Sequence, residues 1–96
     1  MKNVYTIGAT EQFLRQARKF FKKHPDLKAG FAELVDALAE DPFQPRLELH
    51  ALSGKLKGLY AVSLTYKYRV TLTLILDQKE IILIDIGGHA EVYGGK

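Results

Sequence analysis

Four side chains in the second half of this chain are suited to moving protons or holding a phosphate: His50, Arg69, His89 and Tyr93. His50 stands in an irregular stretch beside Leu49 and Leu52, shortly before Lys55-Leu56-Lys57. Arg69 is the one charge in the apolar, threonine-rich run from Tyr68 to Leu76. His89 and Tyr93 follow a strand end in Ile84-Asp85-Ile86-Gly87-Gly88-His89-Ala90-Glu91-Val92-Tyr93, where paired glycines let the backbone turn sharply. Cleaving RNA without a metal requires a base for the 2′-hydroxyl, an acid for the departing 5′-oxygen and a cation for the charged transition state. Histidine suits either proton transfer because its unperturbed pKa lies near neutrality, and arginine can hold a phosphate through two parallel hydrogen bonds. The same residues also fit structural duties. His50 can hydrogen-bond within its loop, His89 can cap a strand, Arg69 can pair with a surface carboxylate and Tyr93 can close the core, and spacing alone favours these roles.

Other chemistries are poorly supplied. With no cysteine there is no disulfide, no thiolate zinc site and no thiol nucleophile, which fits a reducing compartment. The three histidines, at 24, 50 and 89, form no HExxH or comparable pattern, so no metal centre and no cofactor is expected. His24, between a lysine run and Pro25, reads as a helix end. Ser53-Gly54-Lys55-Leu56-Lys57-Gly58 lacks the spacing of a phosphate loop, and no GxSxG elbow occurs. The net charge of +3 is modest, but eight of the 14 Lys and Arg residues lie in two clusters, Arg15 to Lys28 and Lys55 to Lys57. Those clusters suit a polyanion or an acidic protein, and charge does not choose between them.

The elements that must carry these groups follow from periodicity. At 96 residues the chain builds one core, so residues 1–96 are expected to form one domain. Asn3 to Ile7 alternates as a short strand. Thr10 then caps an amphipathic helix with Phe13, Leu14, Ala17, Phe20 and Phe21 on one stripe, ending near His24. Its other face, with Arg15, Arg18, Lys19, Lys22 and Lys23, reads first as a solvated surface. Leu27, Phe31, Leu34, Val35 and Leu38 mark a second helix that Asp41-Pro42 terminates. Residues 42–58 read as a loop with a short turn of structure over 47–52. Leu59 to Thr65, Tyr68 to Leu76 and Glu80 to Ile86 read as an antiparallel meander joined by tight turns. The expected fold is α+β in the order β-α-α-β-β-β, with the helical hairpin lying on one face of the sheet. Arg69, Thr71 and Thr73 then share the other face, opposite Tyr68, Val70, Leu72 and Leu74, as a candidate cleft floor. Gly94-Gly95-Lys96 reads as a loose tail.

Three segments taken together resemble a known family. Leu52-Ser53-Gly54-Lys55-Leu56-Lys57-Gly58-Leu59-Tyr60, Tyr68-Arg69-Val70 and Ile86-Gly87-Gly88-His89-Ala90-Glu91-Val92-Tyr93 are similar in order and spacing to the RelE/ParE toxins of type II toxin–antitoxin systems. The resemblance implies a toxin neutralised by a cognate antitoxin protein and, on the RelE/YafQ-like branch, an endoribonuclease that cuts mRNA on the ribosome. It implies that Arg69 contacts the scissile phosphate and that Tyr93 stacks on a base or moves a proton. It further makes His50 and His89 catalytic or substrate-positioning groups, with Lys55, Lys57, Ser63 and Lys67 as RNA contacts. The chain departs from the pattern where nucleases of this type carry basic residues, having Ala61 and Ser63, the latter at a position that is histidine in the YafQ-like subgroup. Lys67 stands where that subgroup has an acidic residue.

We therefore expect a cytoplasmic mRNA interferase whose partners are an antitoxin, the ribosome and messenger RNA, with no membrane segment and no small-molecule cofactor. The rival readings are a ParE-like toxin that binds DNA gyrase and a catalytically silent homologue that binds only its antitoxin. A titrating histidine beside Tyr93 favours the nuclease, since a purely binding module has no need of one there.

Overall fold

The computed structural model describes residues 4–88. Strand β1 (Thr6–Ala9) leads through Thr10 into α1 (Glu11–Lys23). The Thr10 hydroxyl accepts from the Phe13 amide at 3.0 Å, a cap of the kind worth about 1 kcal/mol. Glu11 in the first turn and Lys22 and Lys23 in the last complement the helix dipole. The helix stops at His24 before Pro25, and a short 3-10 turn, Pro25–Leu27, leads into α2 (Lys28–Glu40). Asp41 ends α2 in an extended conformation, φ −167° and ψ 102°, as a residue before proline must.

The strands β2 (His50–Ala51), β3 (Tyr60–Ser63), β4 (Tyr68–Ile75) and β5 (Glu80–Gly88) complete a five-stranded sheet in the order β1-β5-β4-β3-β2. β1 runs parallel to β5, and the remaining pairs are antiparallel. Both helices cover one face. Phe13, Phe20, Leu34 and Leu38 meet Val62, Val70, Leu72, Ile81, Leu83 and Ile86 in the buried core, with Tyr60, Tyr68 and Leu74 packed at its margin. By alternation, Ala61, Ser63, Arg69, Thr71 and Thr73 point away from the helices. The expected two faces of β4 are thus present.

The expected meander is corrected in three ways. The N-terminal strand spans Thr6–Ala9 instead of residues 3–7, because the amides of Val4 and Tyr5 donate to Ala39 O at the end of α2, at 3.0 and 2.9 Å, instead of to a strand. That strand joins the sheet beside β5, so the sheet is mixed. A fifth strand, His50–Ala51, lies where a loop was expected and pairs with Ala61 and Tyr60. β3 is also shorter than residues 59–65, because the amides of Leu64 and Thr65 both turn back to Tyr68 O. The turn between β4 and β5, expected over residues 77–79, begins one residue earlier, as a 3-10 turn over Leu76–Gln78 closed by Lys79 in the left-handed region at φ 53°.

A β-bulge interrupts β5. The register passes from Thr71↔Asp85 to Leu72↔Leu83, which leaves Ile84 as the extra residue. The inward parity therefore switches along the strand, so that Ile81 and Leu83 are buried before the bulge and Ile86 after it. The candidate cleft floor also differs from expectation at its centre. Thr71 is only 2% exposed, and its hydroxyl has no hydrogen-bond partner among the described residues.

Two stability predictions follow from this packing. Leu38→Ala, at a position that is 0% exposed, should destabilise the protein by about 2–5 kcal/mol in urea unfolding. Thr71→Val removes an unpaired buried hydroxyl while keeping the branched shape and should stabilise by about 1 kcal/mol. A clear loss of stability in the valine variant would show that the hydroxyl has a partner in solution.

Candidate functional site

The strand registers arrange the outward face in rows. His50 pairs with Ala61, Ala61 with Thr71 and Thr71 with Asp85, making one row across β2, β3, β4 and β5. Ser63 pairs with Arg69 and Arg69 with Gly87 in the next row. Directly opposed side chains of antiparallel strands have Cβ atoms about 4.5–5.5 Å apart, and successive same-face rows lie about 7 Å apart. His50, Ser63 and Arg69, which are far apart in sequence, therefore share one small area. Gly87, opposite Arg69 on β5, adds no side chain to this row and is itself buried. Ala61 and Thr71 are buried at the centre of this face, Ser63, Arg69 and Thr73 are half-buried, and His50 is exposed.

Among the described residues Arg69 makes one long contact, Nη1 to Thr65 O at 3.4 Å. A guanidinium carries five N–H donors in a fixed fork, so this contact leaves capacity for a bidentate phosphate. His50 places Nδ1 2.9 Å from Glu48 O. Ser63 donates its hydroxyl to Glu48 Oε1 at 2.7 Å. Glu48 thus touches two of the expected site residues, and it was not among the candidates from the sequence. It adopts the left-handed conformation, φ 55° and ψ 39°, which costs a non-glycine residue about 1–2 kcal/mol. A signal for it exists in Leu47-Glu48-Leu49-His50, where two apolar residues alternate with two polar ones in a stretch that otherwise lacks periodicity. Leu47 is buried and Leu49 packs against the core, while Glu48 and His50 are exposed.

The remaining candidates divide by position. Lys67 lies exposed in the turn between β3 and β4, near Arg69 in the fold, with its Nζ 6.0 Å from the Tyr68 ring centroid. Lys55 and Lys57 are exposed in the connection between β2 and β3, beyond the Ala51–Tyr60 pair and so at the opposite end of β3 from Ser63. The fold does not bring them to Arg69. His89 and Tyr93, with the C-terminal tail, lie outside the described residues. His24 does cap the end of α1, its ring packed against Phe20 and Tyr68 at centroid distances of 4.7 and 4.9 Å. Among the described residues no group of three or more His, Cys, Asp or Glu is placed to hold a metal. No helix among them is long and apolar enough to cross a membrane.

The face therefore offers an imidazole, a guanidinium and a carboxylate with a hydroxyl on it, which is chemistry for proton transfer beside a bound phosphate. No protein-family model matches the chain, and no curated protein matches it in sequence. Solved structures do match. YafQ from Escherichia coli superposes with a TM-score of 0.78 at 20% identity, covering 94% of this chain and 99% of that one. The toxin–antitoxin complex DinJ–YafQ from Escherichia coli gives 0.77 at 19% identity, with 95% and 99% covered. The toxin–antitoxin complex RelBE2 from Mycobacterium tuberculosis gives 0.73 at 19% identity, with 94% and 97% covered. Coverage is close to complete on both sides, so the likeness concerns the whole fold and not a shared fragment. The element order, the mixed five-stranded sheet and these superpositions agree that the chain has the fold seen in YafQ.

Proposed function

We propose that this protein is the toxin of a type II toxin–antitoxin pair and that the helix-free face of its sheet cuts messenger RNA on the ribosome. The observation that carries the reading is the register that sets Ser63 opposite Arg69 and brings His50 to the same face one row away. In the step proposed, the 2′-oxygen attacks the adjacent phosphorus and the bond to the 5′-oxygen breaks. One of His50 and His89 takes the 2′-hydroxyl proton, and the other gives a proton to the departing 5′-oxygen. Arg69 stabilises the charge that grows on the phosphate, and Tyr93 orders the neighbouring base. The products are a 2′,3′-cyclic phosphate and a 5′-hydroxyl, and no metal takes part.

Several observations support the assignment of partners. DinJ–YafQ and RelBE2 are toxin–antitoxin complexes built on the same fold, which supports a cognate antitoxin for this chain. Lys67, in the turn next to Arg69, and Ser63 are the RNA contacts nearest the reacting phosphate. Lys55 and Lys57, at the far end of β3, would meet RNA or ribosome away from the scissile bond. The work of such a toxin is done in the cytoplasm, where translation takes place.

The test is primer extension on a translated messenger in a purified translation system, comparing the intact protein with Arg69→Ala and His89→Ala. Discrete cuts within codons are expected from the intact protein. Each variant should lose about 10²–10³-fold in cutting rate, as expected when a charge-stabilising or proton-transferring group is removed, with unchanged unfolding midpoints. Undiminished cutting by the Arg69 variant would remove that residue from the mechanism. Absence of cutting by the folded intact protein would replace the nuclease with gyrase binding or antitoxin binding alone.

A further inference from the structure

We propose that Tyr66, at the tip of the turn between β3 and β4, is a stacking platform for an unpaired base of the RNA whose phosphate Arg69 holds. That the RNA is a messenger on the ribosome rests on the nuclease reading above, while the platform itself does not.

Among the described tyrosines, Tyr5, Tyr60 and Tyr68 pack against the core. Tyr66 does not, and it is 95% exposed. A lone exposed aromatic is ordinary on a protein surface, so exposure alone implies nothing. What sets Tyr66 apart is the backbone that carries it. The amides of Leu64 and Thr65 donate to Tyr68 O at 2.9 and 3.2 Å, and the Thr65 hydroxyl accepts from the amides of Lys67 and Tyr68 at 3.1 and 3.2 Å. These bonds close the turn on both sides of Tyr66. The ring is thus held in solvent by a fixed backbone, which has little freedom left to lose when a ligand binds.

The turn is also joined to the proposed phosphate site. Arg69 Nη1 reaches back to Thr65 O at 3.4 Å, which places the guanidinium beside the peptide bond between Thr65 and Tyr66. A phosphate gripped by Arg69 therefore leaves a neighbouring nucleotide within reach of the Tyr66 ring.

The class of ligand follows from what surrounds that ring. Tyr66-Lys67-Tyr68-Arg69 alternates aromatics with cations, and no Asp or Glu occurs in sequence between Glu48 and Asp77. Tyr68 is committed to the core, where its ring meets Phe20 and His24. Tyr66 is the aromatic of this run that remains available to stack, with Lys67 beside it and Arg69 at the foot of the turn. An aromatic face among cations suits a single strand, because every base has a π face and every nucleotide carries a negative charge. A protein partner would have to bring an apolar contact and carboxylates together, whereas one nucleotide supplies both.

The test titrates the intact chain with short single-stranded 2′-O-methyl RNAs, each carrying the fluorescent base 2-aminopurine at a different position. With the wild type, fluorescence should be quenched on binding at the position that stacks. Tyr66→Phe should keep the quench and the affinity. Tyr66→Ala and Tyr66→Leu should lose the quench and bind about tenfold more weakly, with unchanged unfolding midpoints. In the translation system Tyr66→Ala should cut about tenfold more slowly at limiting protein and recover at saturating protein, as a residue that binds without doing chemistry must. If Tyr66→Ala matches the wild type in both assays while Arg69→Ala fails in both, the inference is overturned, the nuclease reading stands and the exposed ring is left to a protein partner. A quench that depends on Tyr66 in a protein that cuts no messenger keeps the platform and removes the nuclease reading. A folded protein that neither binds these RNAs nor cuts messenger would overturn both.

Discussion

The alternation along β4 is the constraint on which the rest of the molecule depends. This strand is flanked by β3 and β5, and Val70 and Leu72 on its inner side are fully buried beneath the helical hairpin. Each such side chain contributes about 1.5–3 kcal/mol by leaving water, so a slip of one residue would exchange the buried set for Arg69, Thr71 and Thr73. The register is therefore strongly determined, and with it the outward position of Arg69. The β-bulge at Ile84 lets β5 keep Ile81, Leu83 and Ile86 in the core while still pairing with the full length of β4. Burial on one side of the sheet thus places the polar groups on the other.

Much of this could be read from the residues. The helices have strong apolar stripes, a cap at Thr10 and stops at Pro25 and Asp41-Pro42, so their limits were visible. The two faces of β4 followed from period-two alternation. What could not be read depends on non-local pairing. Nothing in Thr6–Ala9 says that it will lie parallel to the last strand, and a two-residue strand such as His50–Ala51 is too short to show a period. The bulge was hidden because Ile81, Ile82, Leu83, Ile84 and Ile86 are apolar on both parities, so no break in pattern marks the extra residue. The left-handed turn at Glu48 was equally silent, since glycine and asparagine are the usual signals for that conformation.

The candidate site combines positions expected from the resemblance with a local arrangement that it did not imply. Arg69 and His50 supply, on one face of the sheet, the cation and the imidazole that the proposed cleavage calls for. Ala61 and Ser63 give the face fewer basic groups than the nuclease pattern has, and the Glu48 carboxylate adds a negative charge beside a site proposed for a polyanion. Its bond to Ser63 turns that carboxylate toward β3, which gives it structural work in place of a direct part in binding phosphate. The proposed recognition of RNA on such a face would draw on Arg69 and the turn bearing Lys67 more than on a broad positive field. The most extended run of cations, on the exposed side of α1, lies on the other side of the sheet.

In the proposed function RNA meets the sheet face, and not the basic face of α1. That placement is tested most directly by titrating the 15N-labelled protein at low salt with a short 2′-O-methyl RNA, which lacks the attacking hydroxyl and so cannot be cut. The largest amide and side-chain shifts are expected on His50, Ser63, Arg69 and Gly87, with small changes at Arg15, Arg18 and Lys22. Shifts confined to α1, with the sheet residues unmoved, would contradict it.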